Sequence, residues 1–219
     1  MRGKLIVIDG NDGSGKHTQA ELLCNELTRR DKKVFLIDFP GYTRNFFGRF
    51  LDEARNGAYG DFSKDNPYLA SFPYALDRWH SRNKIKQTLK RGGYVVCDRY
   101  TTANAIHQGG KIADNLKRVA YLEWLEELEH TELQIPRPDI QVYLDVPVEL
   151  SIRNMSDKLR DELEKNPEYL RNSHETAQWL VAQKPFLWLR VPCSHSGEMF
   201  PRDKIHADLV TALEKRGFI

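Results

Sequence analysis

Cysteine is scarce in this chain of 219 residues, and the few present do not pair: Cys24, Cys97 and Cys193 are odd in number, widely spaced and without a Cys-x-x-Cys motif. That excludes a disulfide framework and a zinc site of the usual spacing, and makes a reducing compartment, the cytoplasm, the expectation. Long apolar runs are missing as well. No stretch approaches the roughly 18 apolar residues of a bilayer span, and Met1-Arg2-Gly3-Lys4 leads into a short run better used as a strand than as a leader. Nor is one charge in excess: 33 basic against 31 acidic residues leave a net charge of +2, too balanced for a surface that wraps nucleic acid. Neither nucleic acid nor membrane is expected as a partner; a small anionic ligand fits better. Repeats and low-complexity tracts are also lacking, so the chain reads as one domain, or one with a small lid.

What is present is an alternation. Apolar runs bounded by turn residues recur at Leu5–Ile8, Val34–Ile37, Tyr94–Cys97, Ile140–Leu144 and Phe186–Val191, separated by segments that read as helices. Strands with little polar alternation are buried on both faces, which predicts an α/β fold with a parallel sheet of about five strands and helices on both sides. Ligands of such sheets gather at the carboxyl ends of the strands. Four polar motifs follow strand ends and should converge there: the glycine-rich run after Ile8, Asp38-Phe39-Pro40-Gly41-Tyr42, Asp98-Arg99-Tyr100 and Asp145-Val146-Pro147. Between them, Asn66–Gly92 reads as a long helix or helix pair starting at Pro67 and bent near Pro73, since an interior proline removes a hydrogen bond. Residues 152–172 are rich in charge and poor in apolar side chains, which taken alone reads as a solvated helix face.

The run Gly10-Asn11-Asp12-Gly13-Ser14-Gly15-Lys16-His17-Thr18 is the most informative. Gly10, Gly15 and Lys16 match the phosphate-loop pattern GxxxxGK[ST], but His17 stands where a magnesium-binding hydroxyl is expected. Three glycines in six positions let successive N–H groups turn around an anion. From Lys16 onward Ala20, Leu23 and Leu27 recur at helical spacing, so a helix N-terminus faces the same anion. A glycine-rich strand-to-helix turn can be only a tight connection; the lysine, placed where a phosphate needs a point charge, argues otherwise.

Phosphoryl transfer needs charge neutralisation more than covalent chemistry, so arginines matter. Tyr74 and Arg78 lie one helical turn apart, able to stack on a base and bond its edge, or equally to be a surface arginine on a half-buried ring. Asp98-Arg99 directly follows an apolar strand: a carboxylate for magnesium and its waters, and a guanidinium for a phosphate, or a simple ion pair.

These motifs, in this order, resemble the thymidylate kinases of the nucleoside-monophosphate kinase group. The resemblance runs from Ile8-Asp9-Gly10 through Phe39-Pro40-Gly41-Tyr42, Tyr74-Ala75-Leu76-Asp77-Arg78 and Asp98-Arg99-Tyr100 with Asn104, to Arg137-Pro138-Asp139 and Tyr143-Leu144-Asp145-Val146. It implies transfer of the ATP γ-phosphoryl group to dTMP with Mg2+, in a homodimer. Residues Gly10 to Thr18 would bind ATP, Lys16 holding its β/γ-phosphates and Asp12 organising the acceptor side. Phe39, Tyr42, Tyr74, Arg78, Arg99, Asn104 and His107 would line the dTMP site, with Tyr74 under the base, Arg78 on its edge and Arg99 on its phosphate. Asp98 and Thr18 would serve the metal. The charged stretch matches the family's mobile lid, at about 153–166. Because Gly13 leaves the phosphate loop without a catalytic arginine, the lid would supply one, with Arg160 first ahead of Arg153 and Lys158, while Asp161 and Glu164 would face dTMP. Gly41 stands where many relatives carry arginine, and His107 where the family commonly has a tyrosine that disfavours a ribose 2′-hydroxyl. The alternatives are a kinase for dUMP or a broader pyrimidine acceptor and, because of His17, a nucleotide sensor without turnover.

Overall fold

The computed structural model describes residues 2–60, 66–154 and 166–219. In chain order the elements are β1 (Leu5–Gly10), α1 (Lys16–Arg29), β2 (Val34–Asp38), α2 (Phe46–Arg55), α3 (Pro67–Lys90), β3 (Tyr94–Asp98), α4 (Thr101–His107) and α5 (Asn115–Glu126). They continue with β4 (Ile140–Asp145), α6 (Val148–Asn154), α7 (Pro167–Gln183), β5 (Trp188–Pro192), the small hairpin β6 (Ser194–His195) and β7 (Glu198–Met199), and α8 (Arg202–Lys215). Five strands form one sheet in the order β2-β3-β1-β4-β5. Every neighbouring pair is parallel.

Alternate side chains of each strand serve opposite faces of the sheet. Ile6 and Ile8 of β1 pack with Val96, Val142 and Leu144 against Ala20, Leu23 and Leu27 of α1 and Ile205, Leu209 and Leu213 of α8. Leu5 and Val7 point the other way, joining Val95, Cys97, Ile85 and Leu89 beneath α3. Both faces are therefore covered, which is why the strands read as unbroken apolar runs.

The register decides where the site lies. Ile8 stands opposite Asp98, and Asp38 also stands opposite Asp98, so three strands deliver their following loops to one edge. The chain leaves the central β1 to build β2 and β3 on one side and later β4 and β5 on the other. Such a reversal opens a crevice at the carboxyl ends.

One sequence alternative is settled and one expectation needs correcting. The α3 segment is a single helix that runs through Pro73, started by Pro67 and by Asn66, whose side chain accepts from the Tyr68 N–H. Burial of Ala70, Ala75, Arg78, Ile85 and Leu89 holds it on the sheet despite the proline. The last sheet strand begins at Trp188 rather than Phe186, which is 91% exposed. Just after α5 the helix widens into a π-helical segment, Glu127–Glu132, that sequence periodicity gives no sign of.

Candidate functional site

The glycine-rich run forms the turn between β1 and α1. Gly13 (φ 78°) and Gly15 (φ 82°) lie in the left-handed region that other residues adopt only with strain. Gly15 caps α1 with no side-chain hydrogen bond, so the first helical N–H groups stay free for an anion. Lys16 folds back over the loop, its Nζ donating to the Asn11 carbonyl (3.3 Å) and to Asp12 Oδ1 (2.7 Å). Thr18 joins Gly13, Ser14, Gly15, Phe200 and Arg202 along a shallow groove beside the loop. His17 points its Nδ1 at Asp98 Oδ2 (3.1 Å) and its Nε2 towards Glu21 (3.5 Å), with its side chain 65% exposed.

A second, deeper recess of about 690 Å³ opens beside this loop. Asp12, Phe39, Tyr42, Tyr74, Arg78, Arg99, Asn104 and His107 all line it. Residues from β1, β2, α3, β3 and α4 or the loops after them thus meet on one cavity. Arg160, Asp161 and Glu164, like Lys158, lie outside the described residues; Arg153 is on α6, where its guanidinium donates to the Gly197 carbonyl (3.2 Å).

Two polar sets organise the cavity wall. In the first, Asp12 is paired with both Arg99 and Lys16. Burial alone would push the Asp12 carboxyl up, but Arg99 and Lys16 outweigh it and hold it far below the usual carboxylate range. Burial likewise opposes the Arg99 charge, and Asp12 and Asp9 more than restore it. Arg99 sits at φ 63°, a left-handed backbone for a bulky residue, at the strand end where it enters the cavity. Its Nε and the Oδ1 of the neighbouring Asp98 are buried with no partner among the described residues. An orphaned donor fits an anion and an orphaned carboxylate oxygen fits a hard cation. Among the described residues no three His, Cys, Asp or Glu side chains converge to hold a metal by themselves, so any such ion must take further oxygens from a ligand.

In the second set, Arg78 donates from Nη2 to Glu129 Oε1 (2.6 Å) and from Nε to Oε2 (3.1 Å). The two side chains are 2% and 1% exposed. Asn104 donates from Nδ2 to the same Oε1 (3.0 Å) and to the Ser71 carbonyl (3.1 Å). Glu129 comes from the π-helical segment and was not anticipated.

Asn45 and Arg55 escaped sequence reading, and Asp77 entered it only as part of a motif. Asp77 accepts from the Gly41 N–H (2.8 Å) and from Asn45 Nδ2 (2.5 Å), fastening the loop after β2 to α3. Asn45 in turn caps α2 by accepting from the Gly48 N–H. Arg55 at the end of α2 lies 4.1 Å over the Tyr42 ring and lines the cavity. At Gly41, a Cβ would come within 2.7 Å of the Arg44 guanidinium, which pairs with Asp38 and lies over Phe39. His107 stacks on Tyr169 of α7, rings 5.8 Å apart and 13° from parallel. Both its ring nitrogens are buried without a partner among the described residues, and burial, aided by Arg99, pushes its pKa down to about 4.

Residues 8–200 match the family model described as thymidylate kinase. The chain belongs to the thymidylate kinase family. The thymidylate kinase of Vesicomyosocius okutanii is 36% identical over 170 residues, which are 76% of this chain and 78% of that one. That of Mycobacterium tuberculosis is 29% identical over 171 residues, 78% and 77% of the two chains. A solved thymidylate kinase structure from Candida albicans superposes with a TM-score of 0.77 over 99% of this chain and 93% of its own, at 20% identity, and establishes the fold. Membership makes the chain an enzyme that phosphorylates dTMP to dTDP, with ATP as donor. Among the described residues no helix is long and apolar enough to cross a membrane.

Proposed function

We propose that the loop and the deeper cavity are the two halves of one phosphoryl-transfer site, ATP lying on the loop and dTMP in the cavity. The observation that carries this reading is the Lys16–Asp12–Arg99 chain of ion pairs, which joins the loop to the cavity wall. Lys16 and the N-terminus of α1 neutralise the donor phosphates, and Arg99, with its unpartnered Nε, takes the acceptor phosphate. Asp12, ionised between two cations, keeps both from collapsing onto other partners and orients them in the absence of substrate. Phe39 and Tyr74 flank the base, Tyr42 and His107 lie towards the sugar and phosphate, and Arg78 with Asn104 reads the base edge.

Asp98 and Thr18 would hold Mg2+ directly or through water, and the ion would supply screening of the phosphate charge there. His17 replaces the usual hydroxyl and acts on this region only through Asp98. The segment at about 153–166 is assigned as the lid, with Arg160 as its catalytic cation and Asp161 and Glu164 facing dTMP. Its closure excludes water and protects ATP from hydrolysis.

We assign the assembly as a homodimer. Phe46 and Leu69, each 68% exposed, and Phe72, 40% exposed, form with Phe47, Phe50 and Pro73 an apolar face on α2 and α3 that a second copy would cover. Light scattering checks this. We assign the enzyme to the cytoplasm, a reading supported by its three free cysteines and by ATP as the donor. An ADP-release assay over a panel of nucleoside monophosphates tests the function. Turnover on dTMP is expected; activity on AMP or GMP without dTMP overturns the reading.

A further inference from the structure

The orientation of a buried amide is settled by what surrounds it. Asn104 has one side-chain atom 3.1 Å from the Ser71 carbonyl and 3.0 Å from Glu129 Oε1, and both neighbours are acceptors only. The atom between them must be the NH2 group. Oδ1 is then the atom left over: among the described residues it has no partner, and Asn104 lines the cavity. Arg78 is oriented by the same carboxylate. Its Nε proton and one Nη2 proton are spent on Glu129, so Nη1, with no partner among the described residues, is the nitrogen that keeps both its protons for the cavity that Arg78 lines.

We infer that Glu129 is a positioning residue that sets the hydrogen-bond polarity of the base pocket. By claiming Nδ2 of Asn104 and two of the five guanidinium protons of Arg78, it leaves the cavity one acceptor, Asn104 Oδ1, beside the donor end of Arg78 at Nη1. The edge complementary to that pair carries a ring N–H beside an exocyclic carbonyl. Thymine and uracil present it; cytosine presents the reverse, a ring acceptor beside an amino donor. Without Glu129 only the Ser71 carbonyl still holds the Asn104 amide in this sense, so turning it over to offer its NH2 costs one hydrogen bond instead of two. The π-helical widening after α5 matters here because it is the element that carries the carboxylate, fully buried, to this point. No other carboxylate lies within hydrogen-bond distance of either side chain among the described residues.

This inference rests on the cavity being the acceptor-nucleotide site, and the test separates the two. The probe is 5-methyl-dCMP, which matches dTMP in shape and methyl group and inverts only the edge polarity. Equilibrium titration of the intact enzyme should show 5-methyl-dCMP bound at least about 100-fold more weakly than dTMP, since a site built to hydrogen-bond an edge strongly rejects its inverse. In Glu129→Gln that gap should shrink at least about tenfold, through weaker dTMP and relatively stronger 5-methyl-dCMP binding, with ATP affinity unchanged and kcat at saturating dTMP within about threefold. Glu129→Asp keeps the charge beside Arg78 but withdraws it by one methylene, and should move the gap in the same direction by less. It serves where the glutamine variant does not fold. Wild-type enzyme that binds the two nucleotides within about threefold, or a folded variant that keeps the full gap, overturns the role of Glu129. Failure of the wild-type enzyme to turn over dTMP would instead overturn the assignment of the site.

Discussion

The two halves of the proposed site are built by opposite means. The proposed donor half is one contiguous run, Gly10 to Thr18, whose working parts are backbone N–H groups, two glycines in the left-handed region and a single lysine. The acceptor half draws on five elements far apart in the chain. Its orientation depends on one buried carboxylate gripping Arg78 and Asn104. A site made of backbone would tolerate a foreign side chain such as His17, because peptide groups turned towards a phosphate do not depend on it. A site made of buried side chains tolerates little, because each member fixes the next.

The sharpest way to break this contrast is Arg78→Ala. It leaves Glu129 as an uncompensated buried charge, and the cost should be about 3–5 kcal/mol of folding stability in denaturant unfolding. What folds should show a raised KM for dTMP with kcat largely retained. A loss below about 1 kcal/mol would mean that the pair is no more than a surface-type contact.

Lys16→Ala strikes the donor half and should do the reverse. Removing a charge aimed at the developing transition state should lower kcat about 10²–10³-fold, while dTMP affinity and stability change little. Pre-steady-state kinetics with a separate dTMP titration check this split. Equal effects of the two substitutions on kcat and KM would erase the distinction between the halves.

Legibility followed the same division. The strands, the phosphate loop and the convergence of Asp98-Arg99 with Phe39 and Tyr42 could be read because each is local: an apolar run, a turn residue, a motif at a strand end. Glu129 could not be read. It sits in Glu126-Glu127-Leu128-Glu129, a charged stretch that looks like a solvated helix face, and the π-helical widening that turns it inward leaves no mark in composition. Asp77 was visible inside a motif, but its bond to the Gly41 N–H depends on a loop packed from 36 residues away. Phe186 misled for a simpler reason: its apolarity suggested a strand, yet it lies exposed before β5 begins.

His107 allows a finer test, by pH. Its folded-state pKa lies near 4 against an ordinary 6.5, mainly because burial disfavours the charged ring. Below pH 6.5 the unfolded chain takes up a proton that the folded chain refuses until about pH 4, so stability falls with falling pH across that window. The full linkage would be about 3 kcal/mol at about 1.4 kcal/mol per unit. His107→Gln should flatten the stability profile between pH 6.5 and 4. A profile of unchanged slope would place the histidine in water rather than against Tyr169.

The smallest effect is expected at the residue that first looked wrong. His17 is exposed, and its pairing with Asp98 is of the solvent-screened kind worth about 0–1 kcal/mol. His17→Ser restores the usual hydroxyl without altering a single backbone N–H of the loop. Stability should stay within about 1 kcal/mol, and the KM for ATP within about threefold. If kcat instead rose or fell a hundredfold, the donor half would depend on this side chain as strictly as the acceptor half depends on Glu129. The tolerance of a backbone-built site would then end where its helix begins, at the first side chain after the lysine.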